Sequence, residues 1–165
     1  MKNLIFAVIL SVFASMASAQ DDQKIDRMTI GKMETFTPEN LKWADEPILP
    51  KGAKSALLVG DPNKAGVFIA YLRFPPNYPI PPHTHPFAEV ITVLKGKLGN
   101  GMGKTFDKSS GEVLSAGASF TLPAGHTHYV WTTEEETIVQ LIATGPWDIT
   151  YTNPKDDPRK AKSNK

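Results

Sequence analysis

The feature of this sequence that most restricts its fold is the division of the chain, from Ser55 onward, into short apolar runs separated by glycine, proline and asparagine. Runs such as VFIAYLRF and TIVQLIATG have the length of strands, and no long helical period extends through the region. Some runs, such as AEVITVLKG, are apolar at successive positions, so we expect more than one face to be covered. The pattern predicts an all-β sandwich or barrel in a single domain.

The first nineteen residues have the features of a cleaved secretory signal. Lys2 supplies a positive charge, Leu4 to Phe13 forms an apolar stretch too short to span a bilayer, and Ala17-Ser18-Ala19 fits a cleavage site. A retained membrane anchor would need a longer apolar run. We therefore predict export, with Gln20 as the new N-terminus and a periplasmic or secreted location.

Composition narrows the partners and the chemistry of the exported chain. Without residues 1–19, 146 of the 165 residues remain, with equal numbers of basic and acidic side chains. This balance offers no electrostatic attraction to nucleic acid or to an anionic membrane. The chain has no cysteine, so neither a disulfide nor a thiolate ligand is available. We expect a small-molecule ligand or substrate, and a site built from imidazole, carboxylate, hydroxyl or backbone groups.

Changes in amino-acid composition along the chain suggest where its segments begin and end. We predict a signal peptide over 1–19, an N-terminal segment over 20–54, the barrel over 55–153 and a flexible tail over 154–165. The proline-rich stretch PPNYPIPP is expected to be a connector outside any central ladder, because proline lacks a backbone donor. The stretch GNGMG is expected to be a glycine-rich turn.

All four histidines lie in two short segments, HTHPFAE and PAGHTHY. If the first segment is one extended strand, His83, His85 and Glu89 share a parity and face one interior. Two neutral imidazoles and a carboxylate form a good cage for a divalent first-row metal and a poor apolar core. A facing strand would supply a further imidazole, but His126 and His128 have the same parity, so parity leaves both open.

These residues resemble the two motifs of the cupin superfamily. The first motif, HxHx3Ex6G, is matched by His83, His85, Glu89 and Gly96, and the second, Gx5PxGx2Hx3N, by Gly117, Pro123, Gly125 and His128. The chain departs from the pattern at Thr132, where the family often has asparagine, and in lacking the glycine that usually opens the first motif. Neither departure touches a ligand position.

The resemblance implies an antiparallel jelly-roll barrel with a metal in its mouth, bound by His83, His85, Glu89 and His128. It also implies frequent dimerisation, and we expect a homodimer. His126 would then lie at the rim of the barrel, where it would hydrogen-bond to a metal ligand or transfer protons. Glu89 could act as a base as well as a ligand. A hydrogen-bonded polar cluster without metal is the alternative. The ligand set does not select among iron, manganese, nickel, copper and zinc.

The reaction stays open, because cupins include enzymes, sensors and members with no known chemistry. A metal-dependent enzyme on a small molecule, most similar to cupin dioxygenases, is the first hypothesis. A non-catalytic metal-binding or small-molecule-binding and sensing module is the second, and a structural barrel is the third. Arg73 and Gln140 could face either the interior or solvent, whereas Tyr129 and Trp131 are expected to pack in the core.

Overall fold

The computed structural model describes residues 31–160. The predicted signal peptide, residues 1–19, and the last residues of the predicted tail, 161–165, lie outside the described residues. Within residues 31–160, no helix has the length and apolar character needed to cross a membrane.

The regular secondary structure of the described chain consists of strands, apart from two single-turn 3-10 helices at Lys108–Ser110 and Pro154–Asp156. The strands, in chain order, are β1 Ala44–Asp45, β2 Lys54–Val59, β3 Gly66–Phe74, β4 Pro79–Thr84, β5 Glu89–Lys95, β6 Lys97–Met102, β7 Glu112–Ser115, β8 Ser119–Leu122, β9 His128–Thr132, β10 Thr137–Gly145 and β11 Thr150–Tyr151.

The strands form two antiparallel sheets. A six-stranded sheet has the order β1-β2-β3-β10-β5-β8, and a five-stranded sheet has the order β11-β4-β9-β6-β7. Consecutive strands repeatedly lie in different sheets, as β4 and β5 do, so the chain winds back and forth between the two layers. The prediction of a single-domain, all-β jelly-roll barrel is confirmed.

The hydrophobic core lies between the two sheets. Strands β3 and β10 pair along nine positions each, and alternate residues of both strands are buried. This alternation points Leu72 and Leu141 inward and turns Arg73 and Gln140 outward, away from the interior. The guanidinium of Arg73 lies 4.5 Å from the ring centre of Trp43, so neither polar side chain reaches the cavity between the sheets.

The expectation that PPNYPIPP is only a connector was wrong. Its second half belongs to β4, which pairs with β9 on one side and β11 on the other. The register with β9 shifts between Ile80 and His83, so Pro81 and Pro82 lie where the ladder is irregular. Proline still accepts hydrogen bonds there, since the carbonyl of Pro82 accepts from the backbone N–H of Thr152.

The expectation of a turn at GNGMG was also wrong. Gly99 and Gly101 lie inside β6, where they face Trp131 and Tyr129 across the ladder with β9. The two aromatic rings stack on one another with centroids 6.0 Å apart, and both side chains are buried. They lie so close to the glycines that no side chain fits there. Tyr129 and Trp131 are therefore packing residues, as expected. They alternate along β9 with His128 and Val130, which line the cavity, so they pack on the other face of the sheet from the core.

The two ends of the described chain also contact the sheets. Strand β1, within the predicted N-terminal segment, pairs with β2. At the other end, the guanidinium of Arg159 donates to the carboxylates of Asp157 and Asp148 and to the carbonyl of Ile149. These contacts tie the segment after Pro154 to the chain that follows β10.

Candidate metal centre

The first two imidazoles of the centre meet across the β4–β9 ladder. His83 lies opposite His128 in that ladder, and the ring centroids are 4.1 Å apart. Residues opposite one another in an antiparallel pair point to the same face, so both rings enter the interior. Both are almost completely buried, at 2% and 3% exposure.

His85 and Glu89 reach the same place by a different route from the one that strand parity suggested. Strand β4 ends at Thr84, and Glu89 begins β5 in the other sheet. The chain therefore crosses between the sheets at Pro86 and Phe87 instead of continuing as one strand. The convergence was predicted, but its cause is this crossing. The His85 ring lies 4.8 Å from that of His83 and 5.4 Å from that of His128.

The three histidines form a group that could hold one metal ion. One ring nitrogen from each of His83, His85 and His128 lies within 4.8 Å of the others, and all three residues are buried. Such a set of imidazoles suits zinc, copper, iron and nickel.

Burial keeps the imidazoles of His83 and His128 neutral. The pKa of His83 lies well below its usual value, because burial disfavours the charged form and the neighbouring His128 and His85 rings add to the effect. Burial, followed by the effect of His85, lowers the pKa of His128 to about 3. A neutral ring has a nitrogen lone pair available for a metal.

Backbone carbonyls select the nitrogen that faces the group in two of the rings. Nδ1 of His83 lies 2.6 Å from the carbonyl oxygen of Pro81, and Nδ1 of His85 lies 2.8 Å from that of Asp148. A carbonyl only accepts, so each Nδ1 is the donor and each Nε2 keeps its lone pair.

The third ring has an unsatisfied atom. Nδ1 of His128 is buried and has no hydrogen-bond partner among the described residues. Buried polar atoms almost always have a partner, and each exception points to a group such as water or an ion. Together with the lone pairs of His83 and His85, this atom shows that the residues present fit a metal ion.

Glu89 lies beside the group of histidines. Its Oε1 is 3.4 Å from Nδ1 of His85 and accepts a hydrogen bond from the indole Nε1–H of Trp147. Burial raises the pKa of Glu89, partly offset by His85 and by the Trp147 hydrogen bond. The three-nitrogen group does not include this carboxylate. Its roles as ligand and as base therefore stay predictions.

His126 does not join the group. It is exposed and follows Gly125, which has a φ of 73° at the turn before β9. This position agrees with the rim location expected from the resemblance, while a role in proton transfer stays a prediction. Gly96 and Gly117 also have positive φ values, of 76° and 91°, which confirms that these motif glycines shape turns.

The histidines and Glu89 close one end of an apolar cavity of about 40 Å³. This volume holds roughly three water molecules. Among residues 31–160, no lysine or arginine lines it, and the lining side chains besides His83, His85, Glu89 and His128 are Leu49, Leu72, Phe74, Ile80, Ile91, Leu98, Phe120, Val130, Val139, Leu141 and Trp147.

Sequence reasoning missed the segment that follows β10. It passes through a cis Gly145–Pro146 bond and then brings Trp147 and the Asp148 carbonyl against His85. No spacing or periodicity in the sequence marks these contacts, because they depend on where the chain re-enters the barrel. The only sign was an isolated tryptophan just after a strand.

Comparison with known proteins identifies the family. Residues 60–148 match the model of the Cupin family. The chain belongs to the cupin family. The matched range includes both motifs, and with them His83, His85, Glu89 and His128.

Several relatives of this cupin are germin-like proteins. Putative germin-like protein 9-2 of Oryza sativa subsp. japonica is 37% identical over 84 residues, which cover 50% of this chain and 39% of that protein. Germin-like protein subfamily 2 member 4 of Arabidopsis thaliana is 41% identical over 68 residues, which cover 41% and 31%. This chain thus spans less than half the length of these relatives.

Solved structures share the fold. The polyketide cyclase RemF from Streptomyces resistomycificus superposes with a TM-score of 0.63 at 20% identity, covering 79% of this chain and 93% of that one. A recombinant oxalate oxidase in complex with glycolate superposes with a TM-score of 0.51 at 25% identity, covering 66% and 59%.

Proposed function

We propose that this cupin is an exported, metal-dependent enzyme that acts on a small oxygen-donor molecule in a dioxygenase-like reaction. The observation that carries the proposal is the group of His83, His85 and His128, three buried rings with an orphaned nitrogen on His128. A purely structural core has no use for three buried imidazoles in contact. Their convergence in one cluster is best explained by a metal.

His83, His85 and His128 would hold the metal, with Glu89 as a further ligand or as the base. A divalent transition metal in this position supplies Lewis-acid activation of an oxygen donor, or redox chemistry with dioxygen where the metal is iron or manganese. Glu89 is suited to take a proton, because its burial raises the pKa of the carboxyl group.

Charge and volume favour a small monoanion as the substrate. Three imidazole ligands and one carboxylate around a divalent ion would leave one positive charge, and no lysine or arginine of the described part of the chain lines the cavity. A monoanion would neutralise that charge. The volume of about 40 Å³ suits a molecule of few atoms. The likeness to an oxalate oxidase in complex with glycolate supports small carboxylic acids as the first substrates to test.

The decisive experiment combines metal analysis with oxygen uptake. Protein purified without added metal is analysed for its elements. Each metal-loaded form is then assayed for oxygen consumption with glycolate, which is a monoanion, and with oxalate in acidic buffer, where its monoanion is populated. The proposal predicts turnover with one metal and its loss in His128→Ala. Tight binding of an acid without turnover in every metal form contradicts the enzyme and indicates a binding module.

Export is tested separately, because the predicted signal peptide lies outside the described residues. Mass spectrometry of the protein from the envelope or the medium should find a chain that begins at Gln20. An intact chain beginning at Met1 in the soluble envelope fraction contradicts the proposed export.

A further inference from the structure

One side chain outside the cupin motifs, Trp147, contacts both His85 and Glu89. The ring of Trp147 lies nearly parallel to that of His85, with centroids 5.4 Å apart and an interplanar angle of 7°. Its indole N–H donates to Oε1 of Glu89. Phe68 packs edge-on against the other side of the Trp147 ring, with centroids 6.0 Å apart at 61°.

The hydrogen bond restricts what Glu89 can do. A carboxylate has two oxygens, and Trp147 donates to Oε1, the oxygen nearer to His85. Oε2 is then the oxygen left to meet a metal or a proton, so the carboxylate acts through a single atom. An unrestrained carboxylate could instead bind a metal through both oxygens.

The stacking contact restricts His85 in a similar way. The Asp148 carbonyl accepts from Nδ1 of His85, and the neighbouring Trp147 ring covers the face of the imidazole. One hydrogen bond leaves the imidazole free to swing about it, whereas a second contact on the ring face fixes its plane. Two consecutive residues therefore contact the His85 ring: Asp148 through a hydrogen bond at the ring edge, and Trp147 through its nearly parallel ring.

We propose that Trp147 is a positioning residue of the metal centre, which presents Oε2 of Glu89 and fixes the ring plane of His85. The inference deepens the proposed function, since it rests on a metal at the three histidines. The partner of the Trp147 N–H is the buried carboxylate that adjoins the histidines. Trp147 is half-buried and lines both the inner cavity and an outer pocket of about 330 Å³.

The test is a Co²⁺ titration of the metal-free, full-length protein, followed by visible absorption, which reports the ligands and their geometry. Trp147→Phe keeps an aromatic ring against His85 and removes the N–H. We expect this variant to bind Co²⁺ about 10- to 100-fold more weakly, as is usual when a group behind a ligand is lost, and with an altered spectrum. Trp43→Phe, which removes an indole stacked on Arg73, is the matched control and should bind like the wild type.

A double variant shows whether Trp147 acts through Glu89. If it does, Trp147→Phe combined with Glu89→Gln binds Co²⁺ as Glu89→Gln does alone, because the two losses are not additive. Full additivity contradicts the proposal. Should Trp147→Phe fail to fold, tryptophan fluorescence in the Trp43→Phe background replaces it. Trp131 also emits there, but it does not line the cavity that Glu89 lines. Glu89→Gln must then change the emission, because the indole loses its charged acceptor.

The outcomes separate this proposal from the proposed function. A wild type that binds no Co²⁺ overturns the metal centre and the role of Trp147 together. A wild type that binds Co²⁺, with Trp147→Phe matching its affinity and spectrum, overturns the role of Trp147 alone. A lowered melting temperature with unchanged Co²⁺ binding has the same meaning, since it assigns Trp147 to packing.

Discussion

His83 and His128 lie opposite one another in the β4–β9 ladder, with ring centroids 4.1 Å apart. This register joins the two motifs, which are far apart in the sequence, because a shift by one residue would turn one of the rings to the outer face. His126, two positions earlier, lies before β9 begins and is exposed. The start of β9 therefore distinguishes His128, which is in the strand, from His126, which is not. Strand parity alone could not distinguish these two histidines.

The first prediction follows from that separation. His128→Ala should lose most of the bound metal, because it removes a ring that faces His83 and His85. His126→Ala should keep near-stoichiometric metal, and Glu89→Gln should retain metal less tightly. Elemental analysis of each purified variant measures its metal content, and a thermal melt verifies that the variant is folded. Metal loss in His126→Ala with full retention in Glu89→Gln would point to a four-histidine site.

The histidines show how far the sequence allowed prediction. The two motifs predicted the fold and the convergence of His83, His85 and His128, because ligand chemistry restricts where such residues can lie. The single-strand route from His83 to Glu89 was wrong, because Pro86 indicates a bend in the strand but does not by itself show that the chain changes sheets there. The contacts of Trp147 were not predictable, since they arise only when β10 and β5 are already paired.

Acid should destabilise the metal-free protein through its buried histidines. The pKa of His128 is about 3 in the folded chain, against an ordinary value of 6.5. Between those values the unfolded chain binds a proton that the folded chain does not, so stability falls as the pH is lowered below about 6.5, by at most about 1.4 kcal/mol per pH unit for this residue. His83 acts in the same direction.

Urea unfolding of the wild type and of His128→Gln, from about pH 7 down to about pH 5, measures this effect. The free energy of unfolding should fall less steeply with acid in His128→Gln. Glu89 does not explain such a difference, because its raised pKa favours folding at low pH and both proteins retain it. Parallel curves for the two proteins would contradict the depressed pKa of His128.

The glycines of β6 should be intolerant of side chains. A Cβ at Gly99 would lie 1.9 Å from Cε2 of Trp131, and a strand neighbour cannot move away without breaking the core. We expect Gly99→Ala to lower the free energy of unfolding by about 1–3 kcal/mol or more, as for other overpacked sites. Ser115→Ala, on the exposed edge strand β7, is the control and should be nearly neutral. Equal stability of the two variants would contradict the close contact.

The same glycines explain a wrong expectation from the sequence. GNGMG has the composition of a turn, and glycine lowers strand propensity. In the folded chain, Trp131 and Tyr129 of β9 cover Gly99 and Gly101 of β6. The aromatic rings thus supply the packing that the glycines lack. A composition rule applied to one segment cannot include a partner strand about thirty residues later.

The final prediction concerns Thr132, where this chain departs from the cupin pattern. Its Oγ1 donates to the carbonyl of Pro75 at 2.7 Å and accepts from the backbone N–H of Tyr78 at 2.8 Å, and the side chain is 1% exposed. Thr132→Val preserves the shape and leaves both groups without a partner, so we expect a loss of about 1–3 kcal/mol in unfolding free energy. Thr132→Ser keeps the hydroxyl and should lose less. Because Thr132 does not line the cavity, folded Thr132→Val should bind metal like the wild type, as a Co²⁺ titration beside the urea curve can show. Metal loss without a change in stability would instead assign Thr132 to the metal centre.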